Sequence, residues 1–367
     1  MTIGDRAAWL MLLGAAGIPA ALVWDFSWES TIGVERFFAP PHSATYLAIA
    51  LATSGALVLL SDATRTRAAG VRLGPWRAPL GAWLVLWGAL AFVTSVLFDR
   101  WWQSGYGLAA GIWHPPQILK AIAFFAVTLG VWLCWLPRQA RTSGALAFAV
   151  SGGIVLALIS VVTLPASFAN LQHSAFFFQL GCATYPVVLV ALATAGRLRF
   201  AASTGALAAL LLQLALVWIL PLVPGAPEVG PIYNPRDHLL PPPFPLLLVL
   251  PALALDALLR VFPGRGERSL GLPRALEAGL SFSAIFVLAQ WVFAGFLLTA
   301  SADGWFFAGG GRHWPFFLRI DPSARAAFWH APADELTLAR AALVALLGVL
   351  AASAGLLLGA GMKRVRR

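Results

Sequence analysis

The sequence predicts an all-α protein: a polytopic integral membrane bundle of about ten transmembrane helices built from helical hairpins, with both termini in the cytoplasm. Three observations carry that expectation. Sixty per cent of the 367 residues are hydrophobic and 11% are charged, with a mean hydropathy of +0.81. Apolar runs of nearly twenty residues recur along the whole chain, each long enough to cross about 30 Å of hydrocarbon. The basic residues cluster in alternate connections between those runs, which sets orientation by the positive-inside rule.

The runs fall at 7–24, 43–61, 80–98, 116–136, 145–163, 174–194, 202–222, 241–259, 276–299 and 337–361. The first resembles a signal peptide in length, but it has no small-x-small cleavage pattern and leads straight into Trp24-Asp25, so it is expected to stay as a span. The second opens on Pro40-Pro41-His42 and the fourth on His114-Pro115-Pro116. Proline suits a first helical turn because its missing N–H would be unpaired there anyway. Pro186 interrupts the sixth run, and Pro241-Pro242-Pro243 precede the eighth.

Arg6, the Arg65–Arg77 cluster, Arg138 and Arg141, Arg197 and Arg199, the Arg260–Arg274 cluster and the closing Lys363, Arg364, Arg366 and Arg367 hold most of the 25 Lys and Arg. They lie at the termini and in the even-to-odd connections, which are therefore cytoplasmic. A net charge of +10 distributed in this way reports topology and excludes a nucleic-acid partner. Asp256 and Glu277, beside Arg260 and Arg274, are expected to form surface ion pairs. With two cysteines, Cys134 and Cys182, both inside runs, neither a disulfide framework nor a thiolate metal site is expected.

The odd-to-even connections, at 25–42, 99–115, 164–173, 223–240 and 300–336, are rich in Trp, Phe and Pro, as expected at the headgroup layer. All six histidines lie on this outer side: His42, His114, His173, His238, His313 and His330. Five of the six sit where an even-numbered helix begins. The first two outer loops also share a pattern, since an aspartate leaves the membrane (Asp25, Asp99) and a histidine re-enters it (His42, His114).

Imidazole and carboxylate at one depth are the ligand types of copper, zinc and non-haem iron. The expected metal ligands are accordingly His42, His114, His173, His238, Asp25 and Asp99. Lys120, Trp102, Trp113 and His330 are expected to bind substrate, Lys120 because an ammonium inside a span either snorkels to the interface or takes Asp99 or a substrate anion beside it. Haem fits less well, since its axial histidines usually lie deeper in a span. No HxH, HxxxH or HExxH spacing occurs, which argues against a membrane diiron hydroxylase or a zinc protease.

The chain is expected to form a single transmembrane domain, with the 300–336 loop, rich in Trp and Phe around Gly309-Gly310-Gly311, as a lid. The functional expectation is a metal-binding His/carboxylate site at the periplasmic face of a bacterial inner membrane, with oxidoreductase chemistry on a small or lipophilic substrate. The alternative is a carrier or an accessory subunit of a membrane complex, with histidines that only cap helices.

Overall fold

A computed structural model describes residues 2–33, 36–107, 114–164, 171–228, 237–240, 246–261, 271–297, 299, 301 and 334–366. Among the described residues ten α-helices follow the predicted order: α1 (Ile3–Thr31), α2 (Pro40–Thr66), α3 (Leu80–Tyr106), α4 (Pro115–Trp135), α5 (Thr142–Val162), α6 (Ala175–Ala195), α7 (Ala201–Ile219), α8 (Val249–Asp256), α9 (Leu272–Leu297) and α10 (Leu338–Arg366). Nine of them are long and apolar enough to cross a membrane. The exception among the described residues is α8, eight residues continued by a π-helical turn (Ala257–Val261). Of the run expected at 241–259, the described part is helical from Val249; the sequence ahead of it holds Pro241, Pro242, Pro243 and Pro245, which have no N–H to donate.

Side chains cap helix starts: Ser174 accepts from the Phe177 amide at the start of α6. Thr2 and Asp5 form a reciprocal capping box at the start of α1. Asp5 also meets Arg138 at 3.9 Å and Arg141 at 3.7 Å, which ties that end to the α4–α5 connection. Between α2 and α3 lies an element that hydropathy did not suggest, an antiparallel pair β1 (Val71–Leu73) and β2 (Trp76–Ala78) turning at Gly74, whose φ is 58°. Thr64 holds it to α2 by accepting from the Arg77 amide at 2.8 Å and donating to the Arg77 carbonyl at 3.0 Å.

Packing only partly follows the expected hairpins. α1 lies along α2, and α3 along α4, at backbone contact distance: a Cβ on Gly14 would reach the Ala48 carbonyl at 2.5 Å, and one on Gly81 the Gly130 carbonyl. Small residues permit that approach, which suits helices associating through dispersion rather than hydrophobic exclusion. α5 and α6, adjacent in sequence, instead choose other partners. α5 packs on α7 through Gly153 and Gly205, and α6 on α10 through Gly355 and Gly359.

Asp256 corrects a second expectation. It is fully buried, not at the surface. Its carboxylate accepts from the Ala202 and Ser203 amides (3.2 and 2.8 Å) and from the Ser203 hydroxyl (2.7 Å), so it caps α7 from a distance. One turn on, the Arg260 guanidinium donates to the carbonyls of Ala193 (3.0 Å), Gly196 (2.6 Å) and Leu198 (3.1 Å), where α6 ends. The short α8 thus fastens the negative end of one helix and the positive end of another.

At the opposite end, the α1 terminus carries the segment that follows α7. Ser27 donates to the Leu240 carbonyl, Thr31 accepts from the Leu240 amide at 2.9 Å, and the Ile32 carbonyl accepts from the Glu228 amide at 3.0 Å. Arg36 meets Glu228 at 2.9 Å. These bonds steady the mouth between α1 and α2, where the site lies.

Candidate functional site

Between the α1–α2 and α3–α4 hairpins, at the end that holds His42, is a cavity of about 90 Å³. Its apolar walls include Leu22, Phe37, Tyr46, Phe92, Val96 and Phe124, and its polar lining includes Asp25, Arg36, His42, Thr45, Asp99, Arg100, Gln103 and Lys120.

Asp25 ends the apolar part of α1 and His42 is the third residue of α2. Their side chains, about one-fifth exposed, meet with His42 Nε2 and Asp25 Oδ1 3.2 Å apart. The other ring nitrogen, Nδ1, lies 2.8 Å from the Arg36 carbonyl, which can only accept, so Nδ1 carries a hydrogen. That fixes Nε2 as the nitrogen aimed at the carboxylate. A carboxylate facing an imidazole lone pair is repelled by it. The 3.2 Å contact therefore suits either a second ring proton or an ion held by both groups.

In the second hairpin Asp99 is buried. Its Oδ2 takes Lys120 Nζ at 3.2 Å and Gln117 Nε2 at 3.4 Å. Its Oδ1 lies 3.9 Å from His114 Nε2, beyond hydrogen-bond reach. Asp99 Oδ1 and both His114 nitrogens are buried without a hydrogen-bond partner, and Trp102 lies edge-on to the His114 ring, 6.2 Å between centroids.

Metal bonds to imidazole nitrogen and carboxylate oxygen are about 2.0–2.2 Å, so two ligands of one tetrahedral ion lie roughly 3.3 Å apart. The Asp25–His42 separation fits that bite; the Asp99–His114 separation requires a much wider angle. The backbone carbonyl on His42 Nδ1 is also the usual outer partner of a metal-binding histidine. Among the described residues no three His, Cys, Asp or Glu side chains converge on one point. Asp25 and His42 would therefore hold an ion with several positions left to solvent or substrate.

The other expected site residues are placed elsewhere or lie outside the described set. His173 stacks on Trp291 of α9 at 3.9 Å between ring centroids, and its Nε2 lies 2.7 Å from the Trp291 carbonyl. Burial pushes its pKa below the usual histidine value, with the Trp291 hydrogen bond acting the other way. A base held neutral by the fold adds stability above its unfolded pKa of about 6.5 and loses it as pH falls through the lower folded value. Thermal unfolding in detergent between pH 7 and pH 5 should accordingly show a smaller acid loss in His173→Gln than in the parent; equal loss in both would remove the account.

His238 meets its neighbour Asp237 at 2.7 Å beside an isolated bridge between Pro224 and His238. Trp113, His313 and His330 lie outside the described residues, as do residues 302–333 of the expected lid. Gln103, Arg100, Tyr46 and Gln117 were not expected from sequence. For Gln117 a signal existed, since 117, 120 and 124 share one helical face with the cavity. Comparison with family models, curated proteins and solved structures gave no match.

Proposed function

We propose that this protein works through the cavity between its first two hairpins, on the periplasmic side of a bacterial inner membrane, and that Asp25 and His42 hold a copper, zinc or iron ion there. The observation that carries the reading is the pairing of Asp25 with His42 at 3.2 Å while the Arg36 carbonyl fixes the ring from behind. Bound copper or iron would supply electron transfer and zinc would supply Lewis-acid chemistry, which makes oxidation or activation of a small or lipophilic substrate the reaction class.

The chain's own residues define what that substrate meets. Phe37, Tyr46, Phe92 and Phe124 line the pocket with apolar surface, while Lys120, Arg100 and Gln103 offer donors to a polar or anionic end. The 3.2 Å separation also suits an imidazolium–carboxylate ion pair. On that second reading the pair holds a proton, and the protein is a carrier or an accessory subunit of a membrane complex.

Elemental mass spectrometry on detergent-purified protein without a polyhistidine tag separates the two. Near-stoichiometric copper, zinc or iron that disappears in His42→Ala is the expected result. Protein that stays metal-free after incubation with each ion would leave the proton reading.

A further inference from the structure

The two hairpins share one packing register. Gly14 approaches the Ala48 carbonyl and the Ala52 amide nitrogen; Gly88 approaches the Ala123 carbonyl and the Val127 amide nitrogen. Gly55 approaches the Ala7 carbonyl and the Met11 nitrogen; Gly130 approaches the Gly81 carbonyl and the Val85 nitrogen. All of these pairs are related by a shift of 74 residues in the first helix (Gly14 to Gly88) and 75 in the second (Gly55 to Gly130). The same shift carries the buried positions Ala8, Ala15 and Ile18 of α1 onto Ala82, Ala89 and Phe92 of α3. It also carries Ile49, Ala56 and Leu59 of α2 onto Phe124, Val131 and Cys134 of α4. Independent helix pairs share a crossing geometry, but they have no reason to share small residues, burial and register together.

In this register Asp25 corresponds to Asp99, and Pro40-Pro41 to Pro115-Pro116. His42 does not correspond to His114, which is the N-cap of α4 as Ala39 is of α2. The counterpart of His42 is Gln117, and that of Thr45 is Lys120. Both copies thus aim their third helical residue at the aspartate: His42 at Asp25 and Gln117 at Asp99. They differ in what neutralises it. Copy two has the Lys120 ammonium at 3.2 Å, whereas in copy one the Thr45 hydroxyl donates to the Pro41 carbonyl at 3.0 Å and brings no charge.

We propose that α1–α2 and α3–α4 are two copies of one cation-holding hairpin, and that Lys120 stands in the second copy where the first copy takes its cation from outside. Lys120 is then the residue that restricts metal binding to one half of the cavity. The identity of that cation rests on the metal reading above; the equivalence of the two copies does not.

The test converts copy two into copy one. Full-length Lys120→Thr/Gln117→His protein, tag-free in detergent, is dialysed against Zn(II) and its zinc counted by elemental mass spectrometry beside the parent. One additional equivalent is expected. No additional zinc in the folded variant of a zinc-holding parent overturns the proposal. The parent's own zinc content reports on the metal reading separately: a metal-free parent sinks that reading and makes zero the expected count in the variant, where a single zinc would overturn the equivalence of the two copies.

Gln117→His alone, with Lys120 retained, covers the case in which the double variant does not fold. Because imidazole is the side chain copy one places at this position, Tm is expected to change by no more than about 3 °C; a fall beyond roughly 10 °C would overturn the equivalence.

Discussion

Asp256→Ala is expected to lower the unfolding free energy by about 3–5 kcal/mol, the cost of removing one member of a buried charged network. Asp256 has no exposed surface and satisfies two amides and a hydroxyl at the first turn of α7. Alanine leaves the Ala202 and Ser203 amides buried without acceptors, at roughly 1–3 kcal/mol each before relaxation. The same change removes the anion nearest Arg260, whose guanidinium holds the end of α6. Asp256→Asn, which keeps one acceptor, should lose less. Thermal unfolding in detergent reads both variants, and an alanine variant within about 2 °C of the parent would show that α8 does not fasten α6 to α7.

Lys120→Met is expected to cost a similar amount, about 3–5 kcal/mol, for a different reason. Methionine keeps the shape and loses the charge, leaving the buried Asp99 carboxylate with only the Gln117 amide at 3.4 Å. The loss should be largely recovered in Asp99→Asn/Lys120→Met, because removing both charges removes the unpaired one. A double-mutant cycle gives the coupling directly. Additive effects of the two substitutions would mean that the 3.2 Å pair contributes nothing and that Lys120 reaches the headgroup layer instead.

Much of this was legible in the chain because a bilayer leaves few choices. A run of apolar residues that must satisfy its own backbone becomes a helix, so the predicted spans overlap the observed helices throughout. Asp25 with His42, and Asp99 with Lys120, were nameable because a charged group at the edge of a span needs a partner. The loop similarity was visible too, but it was aligned on the wrong residue: matching histidine to histidine hides the shift that matches Gly14 to Gly88 and His42 to Gln117. Histidine draws the eye for its chemistry, whereas register is fixed by the glycines, which have none.

The amino-acid sequence by itself determined the class, the approximate spans and the residue types available for a site. Those properties follow from local composition, and each segment meets the membrane largely on its own. Only the tertiary structure decided that α5 packs chiefly on α7, that Asp256 is buried, that His173 is engaged by Trp291, and that Asp25, His42, Asp99 and Lys120 line one cavity. Helix partners are chosen by how closely two backbones can approach, a property of two segments distant in sequence that neither segment's hydropathy contains.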